Sequence, residues 1–325
     1  EPFAITGAGL RPVQSGLAEK AAPSIKLRPG AVVRVVRISA TEWRISQLPE
    51  VESAFVAMDP NTGAVHALVG GFDFQKNKFN HVTQAWRQPG SSFKPFIYSA
   101  ALEKGLTPTT VVNDAPLFYS AEQTGGKPWE PKNYDGQFEG PMSVRRALAK
   151  SKNMVSIRVL QLVGTKSAQE WIARFGFPPE KHPPYLTMAL GAGAVTPMQM
   201  TTGFAVFANG GHRVTPVLIT RVVEQRGKVL FDEPPKAVDA SSQVIDERNA
   251  FIMSSLLQEI TRTGTAARAQ ATLKRPDVYG KTGTTNDSMD AWFVGYHPSL
   301  VATAWVGYDT PRNLGSRETG GGRAK

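Results

Sequence analysis

The sequence predicts an α+β fold in which a central antiparallel β-sheet is flanked by helices. The prediction rests on two strand-rich segments, one at residues 55–69 and the other at residues 291–308. Between these segments, apolar residues recur with the spacing of helices rather than of strands. Strand pairs near both ends of a chain, with helices between them, are expected to share one sheet that the helices cover.

The first 48 residues are predicted to be a linker and part of a small β module, which the family resemblance given below implies to be OB-like. Residues 1–30 are rich in Gly, Pro and Ala and have no periodicity, so they are interpreted as a flexible edge. Residues 31–46 alternate between apolar and polar side chains, which predicts one or two short strands. The break at Leu48 and Pro49 ends this module, and residues 49–325 form the second predicted domain.

The main domain begins with a predicted hairpin. Apolar runs at residues 55–58 and 64–69 flank the letters DPNTG, which are typical of a turn. Helical periodicity follows at residues 91–103, 142–149, 154–163, 167–175, 197–207 and 246–260. A second hairpin joins residues 291–296 to 301–308, and the Gly-rich residues 315–325 are interpreted as another flexible edge.

One long segment between the predicted helices has no regular pattern. Residues 118–139 contain Trp129, Pro131, Tyr134 and several glycines. Irregular loops of this length are uncommon in compact domains and are more often functional or mobile than structural. The segment is therefore a candidate functional loop.

The composition excludes several classes of function. The 325 residues carry a net charge of +10, but no Lys/Arg run is interleaved with aromatic residues, so no nucleic-acid partner is expected. With no Cys and five scattered His, the sequence predicts neither disulfides nor a metal site, and no cofactor is expected. No apolar stretch approaches the ~18 to 20 residues of a membrane span, which predicts a soluble polypeptide. The basic charge favours either solubility or attraction to an anionic polymer or membrane surface.

The first candidate catalytic pair is Ser91 and Lys94, at the start of the predicted helix 91–103. Residues i and i+3 of a helix share a face, so the amine of Lys94 can point at the hydroxyl of Ser91. An alcohol needs a neighbouring base to act as a nucleophile, and a lysine can serve when burial or nearby cations lower its pKa. Backbone N–H groups at the helix start can face a developing oxyanion. By itself, the Ser-x-x-Lys spacing is too common to identify an enzyme.

The second candidate motif is Ser151-Lys152-Asn153, between the predicted helices 142–149 and 154–163. A tight loop between helices presents side chains into a cleft. The hydroxyl of Ser151 can relay a proton there, and the amide of Asn153 can hold a substrate carbonyl. Ser and Asn are also ordinary residues at helix ends, so this motif alone favours a structural role.

The third motif, Lys281-Thr282-Gly283-Thr284-Thr285, is predicted to lie on a strand beside the final hairpin. Gly283 in a strand lets another backbone approach closely. The edge of such a strand can pair with an extended peptide, while Lys281 and the threonine hydroxyls bind its carboxylate.

A near-copy of this motif, Arg262-Thr263-Gly264-Thr265, follows the predicted helix 246–260. Gly264 is interpreted there as a C-terminal helix cap. The near-copy is therefore predicted to have a structural role only, despite its similar letters.

The order Ser-x-x-Lys, Ser-x-Asn, Lys-Thr-Gly is the motif set of β-lactamases and penicillin-binding proteins. Five longer stretches are similar to class A penicillin-binding proteins, namely residues 90–95, 129–134, 189–197, 204–211 and 280–287. The resemblance covers residues 49–322, and the chain is identified as resembling their transpeptidase domain. It implies a central antiparallel sheet flanked by helices and an enzyme that cross-links peptidoglycan.

The resemblance implies a role for each matching catalytic residue. Ser91 is expected to attack the penultimate D-Ala carbonyl of a donor stem peptide and form an acyl-enzyme, with Lys94 as the base. Ser151 is expected to pass a proton to the departing D-Ala, and Lys281 to support Ser151 electrostatically. An acceptor amine from a neighbouring stem peptide then resolves the acyl-enzyme, and β-lactam antibiotics trap it as covalent inhibitors.

The resemblance also implies a substrate-binding set. Asn153 is expected to hold the donor peptide, while Thr282 and Thr284 receive its terminal carboxylate. The oxyanion is expected between the backbone N–H groups of Ser91 and Thr284. The remaining expected binding residues are Gly283, Thr285, Trp129 and Tyr134.

Class A penicillin-binding proteins also have an N-terminal membrane helix and a glycosyltransferase domain, neither of which this sequence contains. The resemblance implies that the full-length protein carries both, and that it works at the periplasmic face of the bacterial cytoplasmic membrane. The family usually continues past the glycines at 320–322 into a further helix, so part of the natural C-terminus is expected to be missing.

Three other functions share these motifs. A class A β-lactamase also needs a Glu followed closely by Leu-Asn, and no Glu-x-x-Leu-Asn occurs after residue 153. A D,D-carboxypeptidase uses water in place of the acceptor amine, and the sequence does not distinguish it. A non-catalytic β-lactam sensor would acylate once without turnover, but it would need a signalling domain, and none is visible.

Overall fold

The computed structural model describes residues 3–315 and 319–322, and the chain divides near residue 50 into two units. The small unit contains an antiparallel hairpin of β1 (Arg34–Arg37) and β2 (Trp43–Ser46). It also contains a 3-10 segment at Gly7–Val13 and the short helix α1 (Gln14–Leu17), so part of the stretch predicted to lack regular structure forms helical turns. Within the described residues, no helix combines the length and the hydropathy that crossing a bilayer requires.

The sheet of the large unit is built from both ends of its sequence. The strands of the large unit, in chain order, are β3 (Glu52–Met58), β4 (Val65–Val69), β5 (Val111–Asp114), β6 (Gly140–Ser143), β7 (Arg221–Val223), β8 (Val229–Asp232), β9 (Tyr279–Thr284), β10 (Asp290–His297) and β11 (Leu300–Gly307). Five of them form one antiparallel sheet in the order β4-β3-β11-β10-β9. Because β3 pairs directly with β11, with Met58 opposite Val301, the predicted α+β class is confirmed.

Helices form a layer against this sheet. The helices of the large unit are α2 (Lys94–Glu103), α3 (Ala121–Thr124), α4 (Val144–Ala149), α5 (Asn153–Val163), α6 (Thr165–Arg174), α7 (Pro197–Ala208), α8 (Glu247–Arg262) and α9 (Ala267–Leu273), and of these α7 and α8 contact the sheet directly. Helix α7 contacts β3, β10 and β11, α8 contacts β9, and α2 packs against α5 and α8. The helical middle of the sequence therefore forms the layer that the hydrophobic periodicity predicts.

An aromatic cluster fills the space between the helices. The fully buried ring of Phe96 contacts five other phenylalanine rings, those of Phe93, Phe175, Phe177, Phe204 and Phe207. Burying one such side chain stabilises the fold by about 1.5–3 kcal/mol. Phe93 belongs to the turn that carries Ser91, so the core also fixes the start of α2.

Tertiary pairing overrides the predicted helix at residues 142–149. Met142 pairs with Val112 in the two-strand sheet of β5 and β6, and the helix begins only at Val144. Ser143 caps this helix, because its hydroxyl accepts a hydrogen bond from the Arg146 N–H at 3.3 Å.

The segment 118–139, predicted to be irregular, lies between the strands β5 and β6 and includes α3. Neither α9 nor the exposed hairpin of β7 and β8 was predicted, and the hairpin has no buried face to give an alternating pattern.

Part of the C-terminal stretch contradicts the prediction of a flexible edge. Residues 316–318 and 323–325 lie outside the described residues. Gly320 lies against β9, where its N–H donates to the hydroxyl of Thr284 at 3.1 Å. The described residues 319–322 are therefore held at the strand that carries the third motif, by a contact that no local pattern reveals.

Candidate active site

A cleft of ≈ 740 Å³ lies between the start of α2, the loop that joins α4 to α5, residues 129–135 and the edge strand β9. Its wall contains the predicted site residues Ser91, Trp129, Tyr134, Ser151, Asn153, Thr282, Thr284 and Thr285. Lys94 and Lys281 are fully buried, and Gly283 is buried too. The structure therefore brings all three motifs to one place, although Ser91 and Lys281 are 190 residues apart in the chain.

Close backbone packing positions Ser91 beside β9. Ser91 lies in the 3-10 turn Gly90–Phe93 that precedes α2. Gly90 has a φ of +53°, and a Cβ there would lie 2.6 Å from the carbonyl oxygen of Thr284. A Cβ at Gly283 would in turn collide with the carbonyl oxygen of Pro89. Glycine at both positions lets the two backbones come together, so the backbones of Ser91 and Thr284 border the same part of the cleft.

The hydrogen bonds of Lys94 run to the α4–α5 loop. Its Nζ donates to the carbonyl oxygen of Ser151 at 2.7 Å and to the Oδ1 of Asn153 at 2.7 Å, and it lies 3.3 Å from the Oγ of Ser151. Burial lowers the pKa of Lys94 well below its ordinary value, and the charge of Lys281 lowers it further, against an opposing effect of Asp114. The environment therefore favours the neutral amine.

This geometry suits a base. A neutral amine has two hydrogens and one lone pair, and a backbone carbonyl or an amide oxygen can only accept a hydrogen bond. The oxygens of Ser151 and Asn153 at 2.7 Å therefore take both hydrogens of a neutral Lys94, which leaves its lone pair available for a proton.

Ser151 has a strained backbone. Its φ is +58°, in the left-handed region that a serine adopts at a cost of roughly 1–3 kcal/mol. Its N–H donates to the carbonyl oxygen of Leu148 at 3.0 Å, and its own carbonyl oxygen accepts from Lys94. This conformation places the Ser151 hydroxyl between two buried amines, those of Lys94 and Lys281.

Lys281 contacts Ser151 from the strand side of the cleft. Its Nζ donates to the Oγ of Ser151 at 2.9 Å and to the carbonyl oxygen of Thr282 at 2.9 Å. Burial lowers the pKa of Lys281 to about 7, so near neutral pH it exists in both protonation states.

The side chain of Asn133, which the sequence analysis did not select, fixes the start of α5. Its Oδ1 accepts from the backbone N–H of Asn153 at 2.8 Å, and its Nδ2 donates to Asp114 at 2.7 Å. The Nδ2 of Asn153 donates to the carbonyl oxygen of Lys132 at 2.7 Å. The Asn153 amide is thus held by the functional loop on one side and by Lys94 on the other.

A charge cluster surrounds the buried lysine in the middle of the same loop. Lys152 is 2% exposed and forms ion pairs with Asp114 at 3.5 Å, Asp135 at 3.0 Å and Glu139 at 3.1 Å. Burial alone lowers the pKa of Lys152, but the hydrogen bonds of Asp135 and Glu139 outweigh that effect and raise it. No local pattern connects Lys152 to acids up to 38 residues away in the chain, so the sequence indicates it only as the middle residue of a motif.

The remaining predicted binding residues differ in how free their side chains are. Tyr134 is 71% exposed at the cleft, and the ring of Trp129 stacks on Tyr119 with centroids 5.4 Å apart. The hydroxyl of Thr285 is buried and accepts the backbone N–H of Asp290 at 2.9 Å, which closes the turn between β9 and β10. A structural contact therefore already engages the hydroxyl of Thr285.

The near-copy of the third motif is not merely a helix end, which corrects the prediction. Gly264 is not in the left-handed conformation of a glycine cap; a Cβ there would instead collide with the carbonyl oxygen of Ala149. The helix continues to Arg262, and Thr265 lines the cleft. Its hydroxyl lies 2.7 Å from the hydroxyl of Thr282.

The acids around Lys152 already hold a cation of the protein itself. Among residues 3–315 and 319–322, no group of His, Cys, Asp and Glu side chains is arranged to hold a metal ion. The chemistry that the described residues provide is that of a serine flanked by buried amines, with hydroxyl and backbone donors on the opposite strand.

Comparison of the sequence with family models matches residues 53–324 to the penicillin binding protein transpeptidase domain. Penicillin-binding protein 1A of Neisseria flavescens is 48% identical over 297 residues, which cover 91% of this chain and 37% of that protein. Penicillin-binding protein 1A of Pseudomonas aeruginosa is 42% identical, and the match covers 92% of this chain and 42% of that protein. The chain therefore spans about two fifths of the length of these curated relatives.

Solved structures give the same result. The crystal structure of penicillin-binding protein 1A from Haemophilus influenzae is similar with a TM-score of 0.83 at 37% identity, over 89% of this chain and 48% of that chain. PonA1 from Mycobacterium tuberculosis in complex with penicillin V is similar with a TM-score of 0.69 at 28% identity, over 85% of this chain and 75% of that chain.

Proposed function

Because the chain belongs to the family of penicillin-binding protein transpeptidase domains, we propose that its cleft takes the D-Ala-D-Ala end of a peptidoglycan stem peptide as acyl donor. The predicted family and its enzyme class, a serine-type transpeptidase, are confirmed. The observation that carries the proposal is the arrangement of Ser91, Ser151 and two buried lysines at one cleft. The transpeptidase family match favours this function over a β-lactamase, a D,D-carboxypeptidase or a sensor.

Acylation begins with proton transfer from the hydroxyl of Ser91 to the neutral amine of Lys94. The Ser91 oxygen attacks the carbonyl carbon of the penultimate D-Ala. The resulting oxyanion accepts hydrogen bonds from the backbone N–H groups of Ser91 and Thr284. The C–N bond to the terminal D-Ala then breaks. The leaving amine receives its proton through the hydroxyl of Ser151, which lies 3.3 Å from the Nζ of Lys94.

The donor is held by groups on both walls of the cleft. Its terminal carboxylate accepts hydrogen bonds from the hydroxyls of Thr282 and Thr284, and Lys281 supports Ser151 with a hydrogen bond of 2.9 Å. The amide of Asn153 contacts the donor backbone, and Trp129 and Tyr134 border the outer part of the cleft. Gly283 and Thr285 shape the cleft without binding the donor through their side chains. Gly283 lets the backbone of Pro89 come close, and the hydroxyl of Thr285 closes the turn after β9.

The acyl-enzyme is resolved by an amine from a second stem peptide, whose attack forms the cross-link and frees Ser91. A β-lactam presents an amide and a carboxylate to the same groups, so it acylates Ser91 in place of the donor. No departing fragment leaves the site in that case, because the opened ring stays attached.

The rest of the protein is inferred from the lengths of the relatives. Since the match covers 37% of the Neisseria flavescens protein, we infer a longer natural chain with a glycosyltransferase domain and a membrane helix. Such a chain places this domain at the periplasmic face of the cytoplasmic membrane. The net charge of +10 suits that location, near anionic lipid and wall polymer.

The direct test is the intact mass of the protein after incubation with benzylpenicillin. We expect one persistent adduct on the wild type and none on Ser91→Ala, because the hydroxyl that forms the ester is missing. Ser92→Ala is the matched control: its hydroxyl donates to the carbonyl oxygen of Pro89 at 2.7 Å, so the adduct should remain. An adduct on Ser91→Ala, or penicillin consumed by the wild type without an adduct, would contradict the proposal.

A further inference from the structure

We propose that Thr265 is a positioning residue that sets the hydroxyl of Thr282 toward the carboxylate of the donor, an inference that rests on the proposed function. The two hydroxyl oxygens are 2.7 Å apart, across the junction between the α8–α9 turn and β9. Thr282 is only 6% exposed, whereas Thr265 is exposed on the cleft wall.

The direction of this hydrogen bond follows from the number of hydrogens. A threonine hydroxyl has one hydrogen to donate and two lone pairs that accept. To bind a carboxylate, which only accepts, Thr282 must give its single hydrogen to the substrate. It can then take part in the contact with Thr265 only as the acceptor, so Thr265 is the donor when substrate is bound. Thr265 thereby prevents Thr282 from turning its hydrogen away from the donor carboxylate.

The resulting chain of hydrogen bonds runs from Thr265 through Thr282 to the carboxylate. Hydrogen bonds in such a chain polarise one another, so each strengthens the next. Threonine also suits the position because its branched Cβ restricts χ1, which reduces the number of directions in which the hydroxyl can point.

The backbone of Thr265 is fixed by the same helix end that leads to Ser151. The N–H of Thr265 donates to the carbonyl oxygen of Ala149 at 3.1 Å, and Ala149 is the last residue of α4. The next residue, Ala266, is fully buried and donates its N–H to the carbonyl oxygen of Ile260 at 3.2 Å. The hydroxyl of Thr265 is thus placed by elements that also place the Ser151 loop.

The same turn supplies a matched control residue. The hydroxyl of Thr263 donates to Glu259 at 2.6 Å on the exposed side of the turn, away from Thr282. Thr263→Val removes a hydroxyl from this turn as Thr265→Val does, but it leaves the contact with Thr282 in place.

The experiment measures the second-order rate constant of acylation with benzylpenicillin and with its methyl ester, which lacks the carboxylate. We expect Thr265→Val to lower the constant for the free acid by about three- to tenfold, the effect of one ordinary hydrogen bond. The constant for the ester should not change. Thr265→Ser should recover most of the rate with the free acid, and Thr263→Val should match the wild type with both ligands.

A double-mutant cycle gives an independent readout that needs only the free acid. In a Thr282→Val background, Thr265→Val should have no further effect, because Thr265 is proposed to act through Thr282. Equal losses with acid and ester, or full additivity in the cycle, would overturn the inference and show a structural role. If Thr265→Val does not fold, as judged by its thermal unfolding, Thr265→Ala replaces it in both measurements. Failure of the wild type to form any adduct would overturn the proposed function itself, which separates the two outcomes.

Discussion

Three buried lysines lie in or beside the loop of residues 151–153, and their surroundings shift their pKa values in opposite directions. Lys94 and Lys281 are 0% exposed, and within residues 3–315 and 319–322 neither forms an ion pair with a carboxylate. Lys152 is 2% exposed but has three acidic partners. The pKa of Lys94 and of Lys281 is lowered, whereas that of Lys152 is raised.

The difference shows that burial alone does not decide the charge of a lysine. Removing an ammonium group from water is costly, and the cost is offset only where acids supply opposite charge and hydrogen bonds. Lys152 has that compensation and serves as a structural cation between α5 and the functional loop. Lys94 and Lys281 lack it, so they are available as a proton acceptor and as a group that titrates near neutral pH.

The largest effect is expected for removal of Lys94, the uncompensated amine that we propose as the base. Lys94→Met should slow acylation by benzylpenicillin by ~10²–10⁴-fold, because the proposed acceptor of the Ser91 proton is then missing. The free energy of unfolding should not fall to a comparable extent, since a buried amine is replaced by an apolar side chain of similar length. Rates of adduct formation by intact mass, together with urea unfolding, measure both quantities.

Lys104→Met is the control for this variant, because Lys104 is an exposed lysine at the end of the same helix. It should leave both the rate and the stability unchanged. If Lys94→Met acylated as fast as Lys104→Met, Lys94 would not be the base.

Replacing Lys152, the lysine with acidic partners, should affect the free energy of unfolding more than the rate of acylation. Lys152→Met leaves Asp114, which is fully buried, without its cation and should lower the free energy of unfolding by about 3–5 kcal/mol. Urea unfolding checks this value. Adding Asp114→Asn to the same chain should restore part of the loss, because the unpaired buried charge is then absent. Equal stability of Lys152→Met and the wild type would refute the role of the cluster.

The smallest effect concerns the dependence of stability on pH. Lys281 has a pKa of about 7 in the folded chain and about 10.5 when unfolded, so between these values the unfolded chain binds more protons. Stability therefore rises with pH across this window: the cost of burying the charged amine is absent above about 10.5, grows as the pH falls, and is complete below about 7.

Comparison of the wild type with Lys281→Met isolates this contribution. From pH 7 to pH 9, the wild type should gain up to about 1.4 kcal/mol per pH unit relative to the variant. Urea unfolding at several pH values measures the difference. Parallel curves for the two proteins would mean that Lys281 keeps its ordinary pKa in the folded chain.

Much of the fold and of the site was predictable because its signals are local. Turn letters and alternating apolar residues gave the hairpins of the main sheet, and the three motifs pointed to the residues that line one cleft. The predictions failed where a distant partner decides the local structure. Met142 belongs to a strand because Val112 pairs with it. Gly320 lies against β9 because its N–H forms a hydrogen bond with the hydroxyl of Thr284.

The sequence by itself determined the chemistry of this protein: a serine with a lysine three residues later, and the other two motifs in a fixed order. Only the tertiary structure decided the electrostatics of those groups. The pKa of Lys94 depends on burial and on Lys281, which is 187 residues away in the chain. Thr265 likewise joins the site only because the turn after α8 lies against β9. Solvation and Coulomb energies depend on distance in space, and residue letters specify distance only along the chain.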